Sequence, residues 1–284
     1  VNERFARAGL RVLALSSGPV GAADAGALHD LTFAGFVGLM DPPAPGVKET
    51  IALLKAAGLR TVMLTGDQQL TAEAVGRELG LLASGEQVVG TDELEAMSDD
   101  VLADRVGHIG AFSRISPAQK LAVVGALQSR GEIVAMLGDG INDAPALRKA
   151  DVGVAMGRRG TDVAKQAASI VLQDDRFETI AAAVEEGRVI FDNIRKFVFY
   201  LFSCNVAEVL VLLGAGLIGL PMPLRPLQLL WLNMVTDTFP ALALALEPGD
   251  PGVMRRPPRD PREAILSRDF VLSILLYGGL ITVS

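Results

Sequence analysis

The chain has one cysteine, Cys204, in 284 residues. It can form no internal disulfide, and a cysteine-rich zinc or iron–sulfur site is excluded with it. Histidine is almost as scarce: His29 lies beside a turn and His108 in a polar connection, and neither has ligand surroundings. Cations are in deficit, with 26 Lys and Arg against 33 Asp and Glu and a net charge of −7. A nucleic-acid partner needs clustered surplus positive charge, so this balance argues against one. With 30 Gly, 15 Pro and 21% charged residues, the chain is neither collagenous nor disordered. A signal segment is lacking as well: the chain starts at Val1 rather than Met, and no basic, apolar, small-residue segment follows. We expect a fragment of a longer protein, with an N-terminal part missing.

What the chain does have is a sharp composition boundary near Lys196. Between Phe197 and Leu246 the only charged residues are Glu208, Arg225 and Asp237. Phe197–Leu220 and Leu227–Leu246 are each about long enough to cross a hydrocarbon core as helices, with Pro221-Met-Pro-Leu-Arg-Pro226 turning between them. Arg188, Arg195 and Lys196 precede this hairpin and Arg255, Arg256, Arg259, Arg262 and Arg268 follow it, which places both outer flanks in the cytoplasm and the hairpin in a lipid bilayer. A third apolar stretch starts at Phe270 and runs to Ser284, too short to span.

Upstream, short apolar segments alternate with helical periodicity, the pattern of an α/β sheet with crossover helices. Strands are expected over Leu31–Met40, Thr61–Leu64, Ile133–Leu137, Val152–Ala155 and Ile170–Leu172. Helices are expected over Val47–Ala57 and Gln68–Leu79, each followed by a glycine suited to a left-handed turn, Gly58 and Gly80. A third should start at Ser116-Pro-Ala-Gln119, which has the form of a capping box with proline in the first turn. Phe177–Arg195 reads as a long amphipathic helix running into the first span, with Asp174-Asp175 capping it. The first thirty residues, with Leu10-Arg-Val-Leu-Ala-Leu15, resemble the tail of another domain.

Three segments sit where an open parallel sheet places its chemistry, at or beside the carboxyl ends of strands. Thr65-Gly66-Asp67 offers a hydroxyl and backbone amides at a helix start, an anion site. Gly138-Asp139-Gly140-Ile-Asn142-Asp143 gathers carboxylates in a tight turn, which suits Mg²⁺, a cation that takes a few protein oxygens plus substrate phosphate. Lys120, one turn into the capped helix, can neutralise charge on a transferring phosphoryl group. Alone, Thr-Gly-Asp is an ordinary turn and a lysine on a helix an ordinary solvated face; two acids beside an Asn are harder to dismiss.

Together these segments resemble those of the P-type cation-transporting ATPases. Asp41-Pro-Pro43, Met63-Leu-Thr-Gly-Asp67, Ser113-Arg-Ile-Ser-Pro-Ala-Gln-Lys120 and Gly138-Asp-Gly-Ile-Asn-Asp-Ala-Pro-Ala-Leu147 occur in that family's order, and the likeness is nearest to the calcium-pump branch. The resemblance implies a haloacid-dehalogenase-like, doubly wound parallel sheet, and ATP hydrolysis through an aspartyl-phosphate. By position, Asp139 would hold Mg²⁺ with Asn142 and Asp143 bracing the loop. Thr65, Gly66 and Lys120 would touch the phosphoryl group, Asp67 and Arg114 would lie beside the nucleotide, and Arg11 would reach ATP from the nucleotide domain. Asp41-Pro42 resembles the hinge between the two cytoplasmic domains. The implied division is 1–41 as the end of the nucleotide-binding domain, 42–190 as the phosphorylation domain and 191–284 as membrane region. One element departs: the family's nucleophile lies in an Asp-Lys-Thr-Gly segment, which these residues lack. Covalent catalysis needs the attacking carboxylate, so the polypeptide alone is expected to be inactive.

Inside the spans, ionisable residues are costly and tend to be functional. Asn205 and Glu208 share one helical face, and Asn233, Thr236 and Asp237 share another. Facing each other, these helices would offer hard oxygen donors of the kind Ca²⁺ takes in sixes to eights. Hydrogen bonding between the helices would account for Asn205 and Thr236 alone. Pro240 should free carbonyls near Asp237. Asn205-Val-Ala-Glu208 and Trp231-Leu-Asn-Met-Val-Thr-Asp237 look like the paired calcium-site segments of reticulum-type pumps, whereas sodium–potassium pumps carry another acid at Asn233 and the manganese/calcium type lacks the first-site glutamate. A pump for Na⁺/K⁺ or Mn²⁺, a soluble phosphatase with an apolar tail and a truncated product that catalyses nothing are the alternatives.

Overall fold

A computed structural model describes residues 2–18, 30–40, 42–83 and 85–283. The chain divides into two compact units, Val1–Ile180 and Ala181–Ser284.

The first unit opens with α1 (Asn2–Arg7) and an antiparallel pair, β1 (Arg11–Ser17) and β2 (Thr32–Leu39), in which Arg11 lies opposite Leu39 and Ser17 opposite Thr32. The strand expected over Leu31–Met40 therefore forms, but it pairs with β1 and stands apart from the parallel strands. There follow α2 (Val47–Ala56), β3 (Met63–Thr65), α3 (Gln69–Glu78), β4 (Gln87–Gly90), α4 (Thr91–Glu95), α5 (Asp99–Arg105), β5 (Ile109–Ser113) and α6 (Pro117–Ser129). Next come β6 (Ala135–Gly138), α7 (Ala144–Lys149), β7 (Val152–Met156), α8 (Asp162–Ala167) and β8 (Ile170–Leu172). The strands form two parallel sheets, ordered β3-β5-β4 and β6-β7-β8.

Local signals act as expected. Gly58 and Gly80 take left-handed φ values of 80° and 74° after α2 and α3. At the start of α6 the Ser116 hydroxyl accepts from the Gln119 N–H, and the Gln119 side chain accepts from the Ser116 N–H at 2.7 Å, closing a reciprocal capping box. Asp174 serves the start of the long helix, accepting from the Arg176 N–H at 3.1 Å and the Thr179 hydroxyl at 2.7 Å. Asp175 corrects the expectation: its carboxylate accepts from the Arg158 and Arg159 N–H groups at 2.9 and 2.8 Å and so closes the loop after β7 instead.

β4 and β5 have no strand counterpart in the sequence reading. β5 is the centre of its sheet and buried at every residue, but Gly110 and Ala111 interrupt its apolar run. Gly110 is there for close approach, since a methyl group in its place would sit 2.7 Å from a Leu82 methyl. Phe112, Ile109, Val89, Val106 and Val123 are the heart of one core, with α5 and α6 over the sheet. Ala72 of α3 packs with Val88 and Ala111, so β3-β5-β4 is wound with helices about it. A second core joins Met136, Leu147, Ala155 and Ala164 to Val124 of α6. Leu64 of β3 and Val134, just before β6, pack against both cores. Among the described residues β3 and β6 each have a ladder partner on one side only.

The second unit holds most of α9 (Glu178–Leu217), with α10 (Pro226–Ala245) and α11 (Arg268–Val283). α9 is one uninterrupted helix of 40 residues, roughly 60 Å at 1.5 Å per residue. Among the described residues it is the one helix both long and apolar enough to cross a membrane by length and composition. α10 has 20 residues, but Gln228, Asn233 and Asp237 dilute its apolar content, and α11 has 16. Phe199 packs edge to face on Phe270 and Tyr277 of α11, and Gly278 lets α11 close on Val206. The segment after α10 is bound to α9: the Asn193 amide donates to the Glu247 carbonyl at 2.8 Å, and the Arg188 guanidinium donates to the carbonyls of Val253 and Arg256. Arg256 in turn pairs with Asp192 at 2.7 Å, and Arg259 stacks on Phe191, so these arginines are structural contacts on α9.

Candidate functional site

The parallel register places the candidate phosphoryl residues at one end of the sheets. Thr65 is the last residue of β3, Ser113 the last of β5 and Gly138 the last of β6, and Thr65 lies beside Ser113 in the ladder. The Thr65 hydroxyl accepts from the Asp67 N–H and donates to the Asp67 carboxylate, both at 3.1 Å, which holds the turn. The Arg114 N–H donates to the Asp67 carbonyl at 3.2 Å and the Ile115 N–H to the Thr65 carbonyl at 3.4 Å. These bonds join the Thr-Gly-Asp turn to the loop that leads into α6. A methyl group on Gly66 would meet nothing within 4 Å, so the chain leaves open space in front of the turn.

The Gly138–Asp143 turn is built around Asp143, which is buried. One carboxylate oxygen accepts from the Lys120 ammonium at 2.7 Å, and the other from the N–H groups of Asp139 and Gly140 at 3.3 and 3.1 Å. Gly138 permits this, since a methyl group there would lie 2.5 Å from the Asp143 Cβ. Lys120 and Asp143 are thus drawn together, but as an internal ion pair with side chains only 16% and 10% exposed. Asp139 and Asn142 are exposed at the strand end, and the Asp139 backbone is fixed by the Thr161 N–H at 2.9 Å. No group of three or more His, Cys, Asp or Glu side chains poised for a metal occurs among the described residues. A lone exposed carboxylate beside an anion-ready turn still fits Mg²⁺, which takes most of its oxygens from water and substrate phosphate. Asp67 and Arg114 are exposed on the adjoining loops. Arg11 opens β1, but its side chain lies outside the described residues, as do His29 and Asp41, the first residue of the segment expected to be a hinge.

In the second unit the expected meeting of α9 and α10 occurs in part. The Asn233 amide nitrogen, once its ambiguous orientation is assigned by bonding, donates to both oxygens of Glu208 at 2.8 and 2.6 Å. The Thr236 hydroxyl donates to its own Leu232 carbonyl at 2.9 Å and reaches Asp237 at 3.4 Å. Asp237 lines a mostly apolar cleft of about 590 Å³ with Asn193, Phe197, Leu201 and Thr238. Asn205 is the exception: it is exposed and its amide donates to the Leu201 carbonyl one turn back, so it is not gathered with Glu208.

Two residues escaped the sequence reading. Tyr200 donates to the Thr236 carbonyl at 2.9 Å, and Thr91 donates to the Arg114 carbonyl. Pro240 carries the signal for the first, since it denies the carbonyl four residues earlier its in-helix donor. A side chain that binds a backbone atom on a distant loop leaves no pattern for the second.

Comparison with known proteins identifies the family. The family model described as haloacid dehalogenase-like hydrolase matches residues 3–151, a second model of that description matches 120–184, and the model for the C-terminus of cation transporting ATPases matches 221–284. The chain belongs to the haloacid dehalogenase-like hydrolases and, within that fold, to the P-type cation-transporting ATPases. Similar proteins include the calcium-transporting ATPase of Bacillus subtilis, 44% identical over 100% of this chain and 32% of that protein. Calcium-transporting ATPase 1 of Bacillus cereus is 47% identical over 89% of this chain and 28% of its own length. Human calcium-transporting ATPase type 2C member 2 is 45% identical over 98% and 29%. The chain spans about a third of the length of the curated relatives it matches.

Proposed function

We propose that these residues are the phosphorylation and ion-binding portion of an ATP-driven pump that moves a divalent cation, Ca²⁺, across a membrane. The observation that carries this reading is the cross-helix contact of Glu208 with Asn233, one turn from Asp237, in a chain whose other unit has the Asp139–Asp143 turn. In the soluble unit Asp139 would hold Mg²⁺, which would supply neutralisation of the charge on the phosphoryl group. Asn142 would brace that turn, and Thr65 and the amides around Gly66 would hold phosphoryl oxygens. Lys120 would pair with Asp143 and keep the turn closed, with its ammonium at the edge of the reacting group. Asp67 and Arg114, with Arg11 from the nucleotide side, would orient ATP. The attacking carboxylate would come from sequence outside these 284 residues, on a strand that fits the edges of β3 and β6 left without a ladder partner among the described residues. The 284 residues alone would then form no phosphoenzyme.

The domain division 1–41, 42–190 and 191–284 belongs to the same reading, with the catalytic part in the cytoplasm and the rest in lipid. Glu208, Asn233, Thr236 and Asp237 would supply cation ligands. Asn205 would join them only by turning its amide away from Leu201. The test is ATP hydrolysis by the intact protein with Ca²⁺, Mn²⁺, Na⁺ or K⁺ added in turn over constant Mg²⁺. Stimulation by micromolar Ca²⁺ is the expected result; stimulation by Na⁺ or K⁺, or by Mn²⁺ alone, overturns the choice of ion.

A further inference from the structure

Arg114 is one of three non-glycine residues among those described with positive φ, at 54°. The chain forces it there. Ser113 and Ile115 on either side are both buried, Ser113 by its ladder and Ile115 in the first core, and Ser116 must then cap α6. A single exposed residue has to make the turn, and an arginine has none of the local hydrogen bonding that eases this backbone region for Asn or Asp. Such a conformation persists only where its surroundings over-determine it.

Both polar groups of Arg114's backbone are tied. Its N–H donates to the Asp67 carbonyl at 3.2 Å, and its carbonyl accepts from the Thr91 hydroxyl. Thr91 is the first residue of α4, directly after β4, and Gly90 before it lies beside Ser113 in the ladder. The hydroxyl therefore bridges the end of β4 to the loop after β5, and the Arg114 N–H bridges that loop to the turn after β3.

We propose that Thr91 is a positioning residue for nucleotide binding: by latching the Arg114 carbonyl it keeps that residue's strained turn, whose N–H holds the Asp67 carbonyl, and so fixes the direction in which the Arg114 side chain leaves the loop. The inference rests on the reading of Asp67 and Arg114 as nucleotide contacts. Without the latch, Arg114 is free to relax to negative φ, which redirects its side chain and releases the Asp67 carbonyl.

The test is equilibrium binding of ATP to the intact protein. Arg114→Ala should weaken binding by roughly ten-fold, and Thr91→Val by roughly five-fold, the size of one ordinary hydrogen bond. Thr91→Ser, which keeps the hydroxyl, should restore wild-type affinity. Thr91→Val added to Arg114→Ala should weaken binding no further, because the latch acts only through that side chain. Thermal unfolding of each variant identifies any that fail to fold, and the serine variant then carries the test. A Thr91→Val protein that binds ATP normally, or a loss that adds in full to that of Arg114→Ala, overturns the latch and leaves the nucleotide reading intact. Unchanged binding in Arg114→Ala overturns both.

Discussion

The Tyr200 hydroxyl lies 2.9 Å from the carbonyl oxygen of Thr236, the carbonyl that Pro240 leaves without a helical partner. Proline has no N–H to offer four residues back, so α10 carries an orphan acceptor next to Asp237, and α9 supplies the donor. Tyr200→Phe should leave that acceptor unpaired and cost about 1–3 kcal/mol. We expect a lower unfolding temperature of the detergent-solubilised protein and a shifted calcium dependence of phosphorylation. Unchanged values for both would mean that the carbonyl finds another donor.

Lys120 and Asp143 make the other critical pair. Removing the lysine strands a buried carboxylate, and Lys120→Ala should cost about 3 kcal/mol in chemical denaturation. Asp139→Asn should be nearly neutral in the same measurement, because that side chain is exposed, yet it should abolish phosphoenzyme formation from ATP. Equal destabilisation by the two changes would contradict the division of labour within the turn.

Asp237→Asn should spare ATP binding and remove calcium-dependent phosphorylation, since the proposed ligand set loses one hard anion while the unit Val1–Ile180 is untouched. Glu208→Gln should retain contact with Asn233 but lose calcium affinity. Wild-type calcium dependence in either variant would refute the ligand set.

The Asp175 carboxyl is held below the usual carboxylate range, first by the Arg158 N–H, with the amides of Arg159 and Gly157 adding to it. A depressed folded pKa stabilises fully above the unfolded value of about 4 and ceases to do so as pH falls through the folded value. Asp175→Asn should therefore lower the thermal stability of the protein at pH 7, and the gap from wild type should narrow below roughly pH 4. A gap independent of pH would assign the effect to shape instead of charge.

Much of this was readable from residue order. Gly58, Gly80 and the Ser116–Gln119 box mark helix ends through contacts within a few residues, and local signals of that kind survive any tertiary context. The strands before Thr65-Gly-Asp67 and Gly138-Asp139 were visible because their apolar runs end at distinctive turns. β5 was not, because Gly110 and Ala111 look like loop until Leu82 is known to press against them.

Residue order by itself determined which groups are proposed to carry the chemistry: the acids at 139 and 143, the turn at 65–67 and the polar residues along two apolar helices. Tertiary structure alone decided what those groups touch. It committed Lys120 to Asp143, turned Asn205 back on its own helix, sent Asp175 to a loop and matched Tyr200 to the carbonyl opened by Pro240. The reason is physical: a side chain's type and helical phase follow from its neighbours in sequence, but its partner is whichever unsatisfied atom the packed chain brings within 3 Å.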